Sequence, residues 1–361
     1  MLFIDNNAVS QILDMRSCIE ALEVGYRDLI KGDATFRPRI DVYFPNETPD
    51  GYYRWGTMEG ACRTQGVFAI RMKSDMLTWP EGLTEEKFCV RPGTFCGLVL
   101  LFSTRNGEPL AIINDGVLQH LRVGACAGLG AKYLAREDAS VVGMIGSGGM
   151  ARSHLMAFHA VRKLEKVKVY SPTKKNREAY AEEMTEKLGI PVEPKEAPEQ
   201  AVRGSDIVAT CTDSLAPVVS DLSWIARGAH LTSVRGNEWP IEVLELADYT
   251  AKLGRNTIVN MDEEMVRMHG TASYVAGQPH EKARIPNPEI DLKKGNYESL
   301  IDLMADKASG RKERDDITYF INSGTQGLQF ASVGGRVYQL AKEKGIGREI
   351  PTEWFLQDIR D

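Results

Sequence analysis

The chain has 361 residues, 43% hydrophobic and 26% charged, with a formal net charge of −6. This is a globular composition, long enough for about two domains, and the negative balance argues against nucleic acid as a partner. No run of about 18 apolar residues is present to span a bilayer, and the opening MLFIDNNAVSQILDMRS lacks a basic region followed by a long apolar core, so a cytoplasmic protein without a secretory signal is expected.

Residues 8–31 read as a helix, with Ile12, Ile19, Leu22, Tyr26 and Leu29 or Ile30 on one stripe. Residues 36–115 are strand-like, and Asn106-Gly107 between apolar runs predicts a hairpin turn. An Ala- and Gly-rich helix follows over 116–136. From 140 onward strands and helices alternate: VVGMI, a helix, KVKVY, a helix, IVATC, HLTSV, ADYTA and NTIV. Residues 280–298, rich in Pro, Lys and Asn, read as a surface loop, and a last helix over about 324–344 is expected to pack back on the first part of the chain. The pattern predicts an α/β protein: an antiparallel-rich N-terminal domain followed by a parallel, doubly wound one. Cys18, Cys62, Cys89, Cys96, Cys126 and Cys211 form no C-x-x-C pair and are expected to be reduced. His154 and His159 are five apart, on different helix faces, so no metal is expected.

The glycine turn Gly146-Ser147-Gly148-Gly149-Met150-Ala151 lies between the apolar run Val141–Ile145 and a helical pattern, and a second apolar strand ends at Tyr170. That order matches a dinucleotide fold, in which Gly146 allows the tight turn, Gly148 admits a pyrophosphate to backbone N–H groups, and Ala151 permits close helix–strand packing. An ordinary strand-to-helix turn is the alternative. NAD sites usually carry an acid at the end of the second strand, to bind the ribose 2′-hydroxyl. Here Ser171, Pro172, Thr173, Lys174, Lys175, Asn176 and Arg177 come before any acid. A hydroxyl with Lys174 and Arg177 suits a 2′-phosphate, so NADP is preferred, with NAD as the other option. The same charges would also suit a solvated loop.

Four further sites hold polar residues that need an explanation. Lys73 shares a strand face with Arg71; facing inward it could bind a carboxylate or act as an acid, and the pattern equally fits an exposed edge strand. Arg122 could hold a carboxylate bidentately or lie on the surface. Asn237-Glu238 follows the HLTSV strand at a carboxyl end, where ligands bind in doubly wound sheets, or forms a turn and cap. Asp315 and Asp316 read as caps or ion-pair partners, with Ser323 and Thr325 beyond them as candidate ligand contacts.

Together, MKSD around Lys73, NGEPLAIINDGVLQHLRVGACAGLGAKYLA, IGSGGMARSH, SDIVATCTDS and GRKERDDITYFINSGTQG resemble the ornithine cyclodeaminase/mu-crystallin family, from about Arg37 to Ser332. The resemblance implies a Rossmann-type domain (121–324) and an α+β substrate-binding and dimerisation domain (1–120 plus 325–361), hence a homodimer. It also implies a nicotinamide cofactor and a small amino or imino acid substrate. Lys73 would be the active-site lysine, Arg122 would hold the substrate carboxylate with Thr94 nearby, and Arg39 would be another substrate-binding arginine. Gly149 and Met150 would meet the pyrophosphate, with Gly146, Ser147 and Gly148. Ser171, with Thr173, Lys174 and Arg177, would meet the adenine ribose, and Thr212, Val234 and Ser323 would lie towards the nicotinamide. Cyclodeaminases and related alanine dehydrogenases carry an acid where this chain has Asn237. An amide cannot exchange a proton as a carboxylic acid does, so Lys73, ordered water or Glu238 would have to serve. The expectation is an NADP-dependent imine reductase or amino-acid dehydrogenase. The alternatives are a cyclodeaminase with internally recycled NAD and a non-catalytic NADP-binding protein.

Overall fold

The computed structural model describes residues 1–47, 51–254, 266–267, 271–285 and 297–359. The chain opens with β1 (Leu2–Ile4), α1 (Asn6–Ile12) and α2 (Met15–Lys31). It continues through β2 (Ala34–Phe36), β3 (Ile40–Pro45), β4 (Gly51–Cys62), β5 (Val67–Thr78), β6 (Glu86–Phe88), β7 (Cys96–Ser103), β8 (Pro109–Asn114) and α3 (Gly116–Leu134). Next come β9 (Val141–Ile145), α4 (Gly149–Val161), β10 (Lys166–Tyr170), α5 (Lys174–Leu188), β11 (Val192–Pro194), α6 (Pro198–Val202), β12 (Ile207–Thr210) and β13 (His230–Ser233). The remainder is α7 (Val243–Leu246), β14 (Tyr249–Lys252), β15 (Val266–Arg267), β16 (Thr271–Val275), α8 (Pro279–Lys282), β17 (Glu298–Ser299), α9 (Leu300–Met304), β18 (Thr318–Ile321), α10 (Gln326–Lys344) and β19 (Arg348–Glu349).

Two sheets carry the architecture. The second is the doubly wound one expected: its order is β11-β10-β9-β12-β13-β18-β14-β17, and all its pairings are parallel. The chain leaves β9 towards β10 and returns at β12, so the switch point lies at the carboxyl ends of β9 and β12. The first sheet runs β15-β16-β3-β4-β5-β7-β8-β1-β19, with β2 and β6 paired off this path. β5 is central to it, flanked by β4 and β7, which removes the edge-strand alternative for Lys73. α10 packs back on β4 and β5. Its apolar face joins the core through Leu328, Phe330, Ala331 and Val333.

Two expectations need correction. The helix over 8–31 is two helices, because Asp14 breaks off in extended backbone and caps α2 by accepting from Ser17 N. The apolar stripe runs on across Leu13, so periodicity alone hides the break. β15 and β16, within the span expected for the nucleotide domain, instead extend the first sheet: β16 pairs with β3 and satisfies that strand's free edge. The NTIV segment and residues 286–296 of the expected loop lie outside the described residues.

Candidate active site

Strand β5 alternates strictly, with Val67, Ala69, Arg71, Lys73, Asp75 and Leu77 buried and their neighbours half-buried. An apolar face thus carries three charges in its middle. Asp75 follows Lys73 at the next inward position, and this signal was readable from the period of two. The residues across from Lys73 explain how the charges fit. Gly56 on β4 and Gly97 on β7 are its direct partners. A Cβ at 56 would overlap Asp41 Oδ1 and come 2.5 Å from Lys73 Cε, and one at 97 would overlap the Asp115 carboxylate. The two glycines therefore leave room for carboxylates delivered from β3 and from the start of α3.

Lys73 Nζ lies 3.1 Å from Asp75 Oδ2 and 3.9 Å from Asp41 Oδ1, and the residue is 5% exposed. Burial, with the Arg39 and Arg54 charges, pushes its ammonium well below the usual lysine value, against the pull of Asp41 and Asp75. Arg39 pairs with Asp41, Nε to Oδ1 at 2.8 Å. Arg54 donates to Asp75 Oδ2 at 2.8 Å, and Arg71 to Asp115 Oδ2 at 2.6 Å.

Arg122 differs from these. It lies in the second turn of α3, buried, and its hydrogen bonds go to two neutral amides, Gln119 Oε1 (2.8 Å) and Gln329 Oε1 (2.7 Å). Its guanidinium stacks 4.8 Å from the Phe330 ring centroid. Burial and the nearby Arg71 charge lower it to about 10, with Cys126 acting the other way. A buried cation held by amides and an aromatic face retains charge for an incoming carboxylate.

The second sheet meets this cluster through one loop. Leu215 N donates to Leu83 O at 3.0 Å, Thr84 bridges Ser214, and Arg235 pairs with Glu85 at 3.1 Å. Burial opposes ionisation of Glu85, but Arg54 and Arg235 prevail and hold it at about 2. Asn237 donates to Ser214 O at 3.0 Å. Glu238 is fully buried. Its Oε1 accepts from Thr212 N (2.6 Å) and Oγ1 (2.7 Å), and its Oε2 from Arg235 N (2.8 Å). Burial raises its carboxyl, against those hydrogen bonds. Glu238 therefore anchors the loop, with both carboxylate oxygens engaged by Thr212 and Arg235.

At the glycine turn, Gly146 has φ +112°, and a Cβ there would lie 2.9 Å from Cys211 C. Only glycine suits both the conformation and the approach. Gly148 precedes α4 in extended backbone, with open space where a Cβ would stand. Gly149 and Met150 open α4, so its first N–H groups face outward as an anion site, which fits a dinucleotide pyrophosphate. Ser147 Oγ donates to Ser171 Oγ at 3.0 Å, tying the turn to the end of β10. Thr173 precedes α5 as its N-cap, and Lys174 is exposed beside Glu178 at 3.7 Å. Arg177 is not available as expected: it is buried, bonded to Ser171 O and Pro172 O, and paired with Glu196. Thr94 is likewise committed, its hydroxyl donating to Arg91 O (2.7 Å) and to Cys89 O within its own loop. Val234 N donates to Thr210 O at 3.0 Å, and Ser323 N to Ile321 O at 2.8 Å, at the ends of β13 and β18. Thr325 is buried beside Tyr26. Asp316 accepts from Lys312 N and Glu313 N, the capping role expected of it.

The sequence reading missed Asp41, Arg54, Asp115, Glu85, Gln119 and Gln329. Strand register and helix packing bring these in, and no local pattern marks them.

The model of the ornithine cyclodeaminase/mu-crystallin family matches residues 2–344. The chain belongs to this family. A Delta(1)-pyrroline-2-carboxylate reductase of Bacillus cereus is 30% identical over 257 residues, covering 71% of this chain and 74% of the relative. The structure of the Thermococcus litoralis Delta(1)-pyrroline-2-carboxylate reductase with NADH and L-proline superposes with a TM-score of 0.76 at 26% identity, over 97% of this chain and 100% of that one. An archaeal alanine dehydrogenase dimer with bound NAD gives 0.74 at 25% identity, over 97% and 98%.

Proposed function

We propose that this family member is a nicotinamide-dependent oxidoreductase acting on the carbon–nitrogen bond of a small α-imino or α-amino acid. The observation that carries the reading is Arg122, a buried guanidinium hydrogen-bonded only to amides, which shares the Phe330 ring with Arg71, and Arg71 shares its strand face with a buried lysine of lowered pKa. Relatives that reduce pyrroline-2-carboxylate or oxidise alanine support the same substrate class.

Arg122 receives the substrate carboxylate in its planar fork, which fixes the orientation of the Cα–N bond. When bound, the reduced nicotinamide supplies hydride. Lys73 donates a proton to the imine nitrogen as the carbon gains hydride, so C=N becomes CH–NH. In the reverse direction neutral Lys73 accepts that proton. Asp75 and Asp41 hold the lysine's Nζ, and burial, by lowering its pKa, makes the ammonium a readier proton donor. Asn237 orders the loop beside the site and moves no proton. The K73A variant is expected to lose turnover while binding reduced cofactor normally. Near-normal activity in that variant overturns the mechanism.

NADPH is the proposed preference, with NADH accepted. Ser171 follows β10 where an acid would repel a 2′-phosphate, and Lys174 stands exposed at the start of α5. Ser171→Asp is expected to raise the KM for NADPH much more than that for NADH; an unchanged ratio rejects the preference. Following ammonia alongside nicotinamide absorbance separates net reduction from cyclodeamination, which releases ammonia without net absorbance change. The assembly is proposed to be a homodimer through the first sheet's outer face, where Val42 and Phe44 stand exposed; a monomer in sedimentation equilibrium at micromolar concentration would refute it.

A further inference from the structure

We propose that His120 is an additional cofactor-binding residue, which hydrogen-bonds the ribose 5-phosphate unit, at its phosphate or a ribose hydroxyl, on the nicotinamide side of the dinucleotide above Gly149. This rests on the dinucleotide reading of the glycine turn. His120 lies on α3, one turn after Gly116. Its Nδ1 is 2.8 Å from Gly116 O, which assigns the ring N–H to that side and leaves Nε2 as the outward nitrogen. Nε2 comes 2.6 Å from where a Cβ on Gly149 would stand, so the ring rests directly on the first residue of α4. The side chain is exposed, so core packing does not explain its position. Among the described residues, no hydrogen-bond partner meets Nε2.

The side from which it approaches identifies what it touches. Ser171 and β10 lie on one flank of β9. α3 packs on α4 and reaches β13 and β18, on the opposite flank. A dinucleotide whose pyrophosphate sits at the start of α4 and whose adenosine runs to Ser171 must send its other ribose towards α3. There Nε2 can accept from a ribose hydroxyl or, as imidazolium, donate to a phosphate oxygen. Arg122 is two residues further along the same helix.

The test measures dissociation constants of the full-length protein for NADPH, NADH, ADP-ribose, ADP and AMP, in wild type, H120A and H120F. The phenyl ring of H120F keeps the bulk over Gly149 and removes the nitrogen. Both variants are expected to bind the dinucleotides and ADP-ribose about tenfold more weakly and AMP unchanged, the loss of one good polar contact. An equal loss for ADP identifies a phosphate contact, and no loss for ADP a ribose hydroxyl; either supports the proposal. Unchanged dinucleotide affinity in H120A, wild-type affinity in H120F, or an equal loss for AMP overturns it. If wild type binds no dinucleotide at all, the reading of the turn itself fails, and that result is distinct from failure of the histidine.

Discussion

Replacing Gly56 with Ala tests whether the lysine is held as closely as the site requires. The new Cβ would stand 2.5 Å from Lys73 Cε and 3.3 Å from Cγ, and would overlap Asp41 Oδ1. Restoring an ordinary carbon–carbon contact of about 3.5 Å requires Cε to retreat by roughly 1 Å. Lys73 is buried and pinned by Asp75 at 3.1 Å, so the retreat stretches that ion pair and displaces Nζ from the reacting nitrogen. Overpacking of this kind costs about 1–3 kcal/mol of stability. A displacement of about 1 Å at a reacting group costs about 10²-fold in rate, equivalent to roughly 2.7 kcal/mol of activation free energy. The G56A protein should therefore remain folded, melt a few degrees lower, and lose about two orders of magnitude in kcat/KM for an imino acid at saturating cofactor, with cofactor affinity unchanged. Calorimetry and steady-state kinetics on one preparation separate the two effects. Wild-type kcat/KM in folded G56A would refute the argument that the glycine exists to seat Lys73.

Three other outcomes follow from the electrostatics. Burial and then Arg39 lower the Lys73 ammonium, so R39Q should raise its pKa and move the alkaline limb of the imine-reduction profile to higher pH; a limb that stays put or moves down counts against Lys73 as the acid. Arg122→Lys keeps a charge but loses the fork that fits a carboxylate; its KM for the imino acid should rise at least tenfold while that for NADPH holds, and equal rises in both would count against carboxylate binding. Burial lowers His154 to about 4 and His230 to about 3. The unfolded chain takes up protons first, so stability present above about pH 6.5 is lost as pH falls towards 4, by roughly 3 kcal/mol per histidine. His154→Gln should flatten that acid limb in urea titrations, whereas an unaltered slope would remove His154 from the explanation.

The parts of the site readable from sequence are those whose chemistry is local. The turn at Gly146–Ala151 shows because strand, glycines and helix are consecutive, and Lys73 shows because a period of two puts it beside Arg71. Asp75 was open to the same reading. Asp41 and Arg54 were not, because each reaches the cluster through a strand pairing, and a one-residue slip in register would send it to the other face; nor was Asp115, which meets Arg71 from the N-cap of α3. Arg177 looked available from composition, yet the free carbonyls at the end of β10 and Glu196 claim it. The fold class followed from the alternation beyond residue 140. The return of β15 and β16 to the first sheet depends on an unsatisfied strand edge, which a linear pattern does not display.

The Glu85–Arg235 pair joins the loop before β6 to the loop after β13, and the Leu83–Leu215 hydrogen bond lies beside it. Any separation of these two loops stretches both. The pair is partly exposed at Arg235, so dissolved ions compete with it over a screening length of about 8 Å at physiological ionic strength. Ionic strength thereby becomes a diagnostic of the catalytic cycle. If opening to release product sets the pace, added salt should speed turnover, and if hydride transfer sets it, salt should leave kcat unchanged.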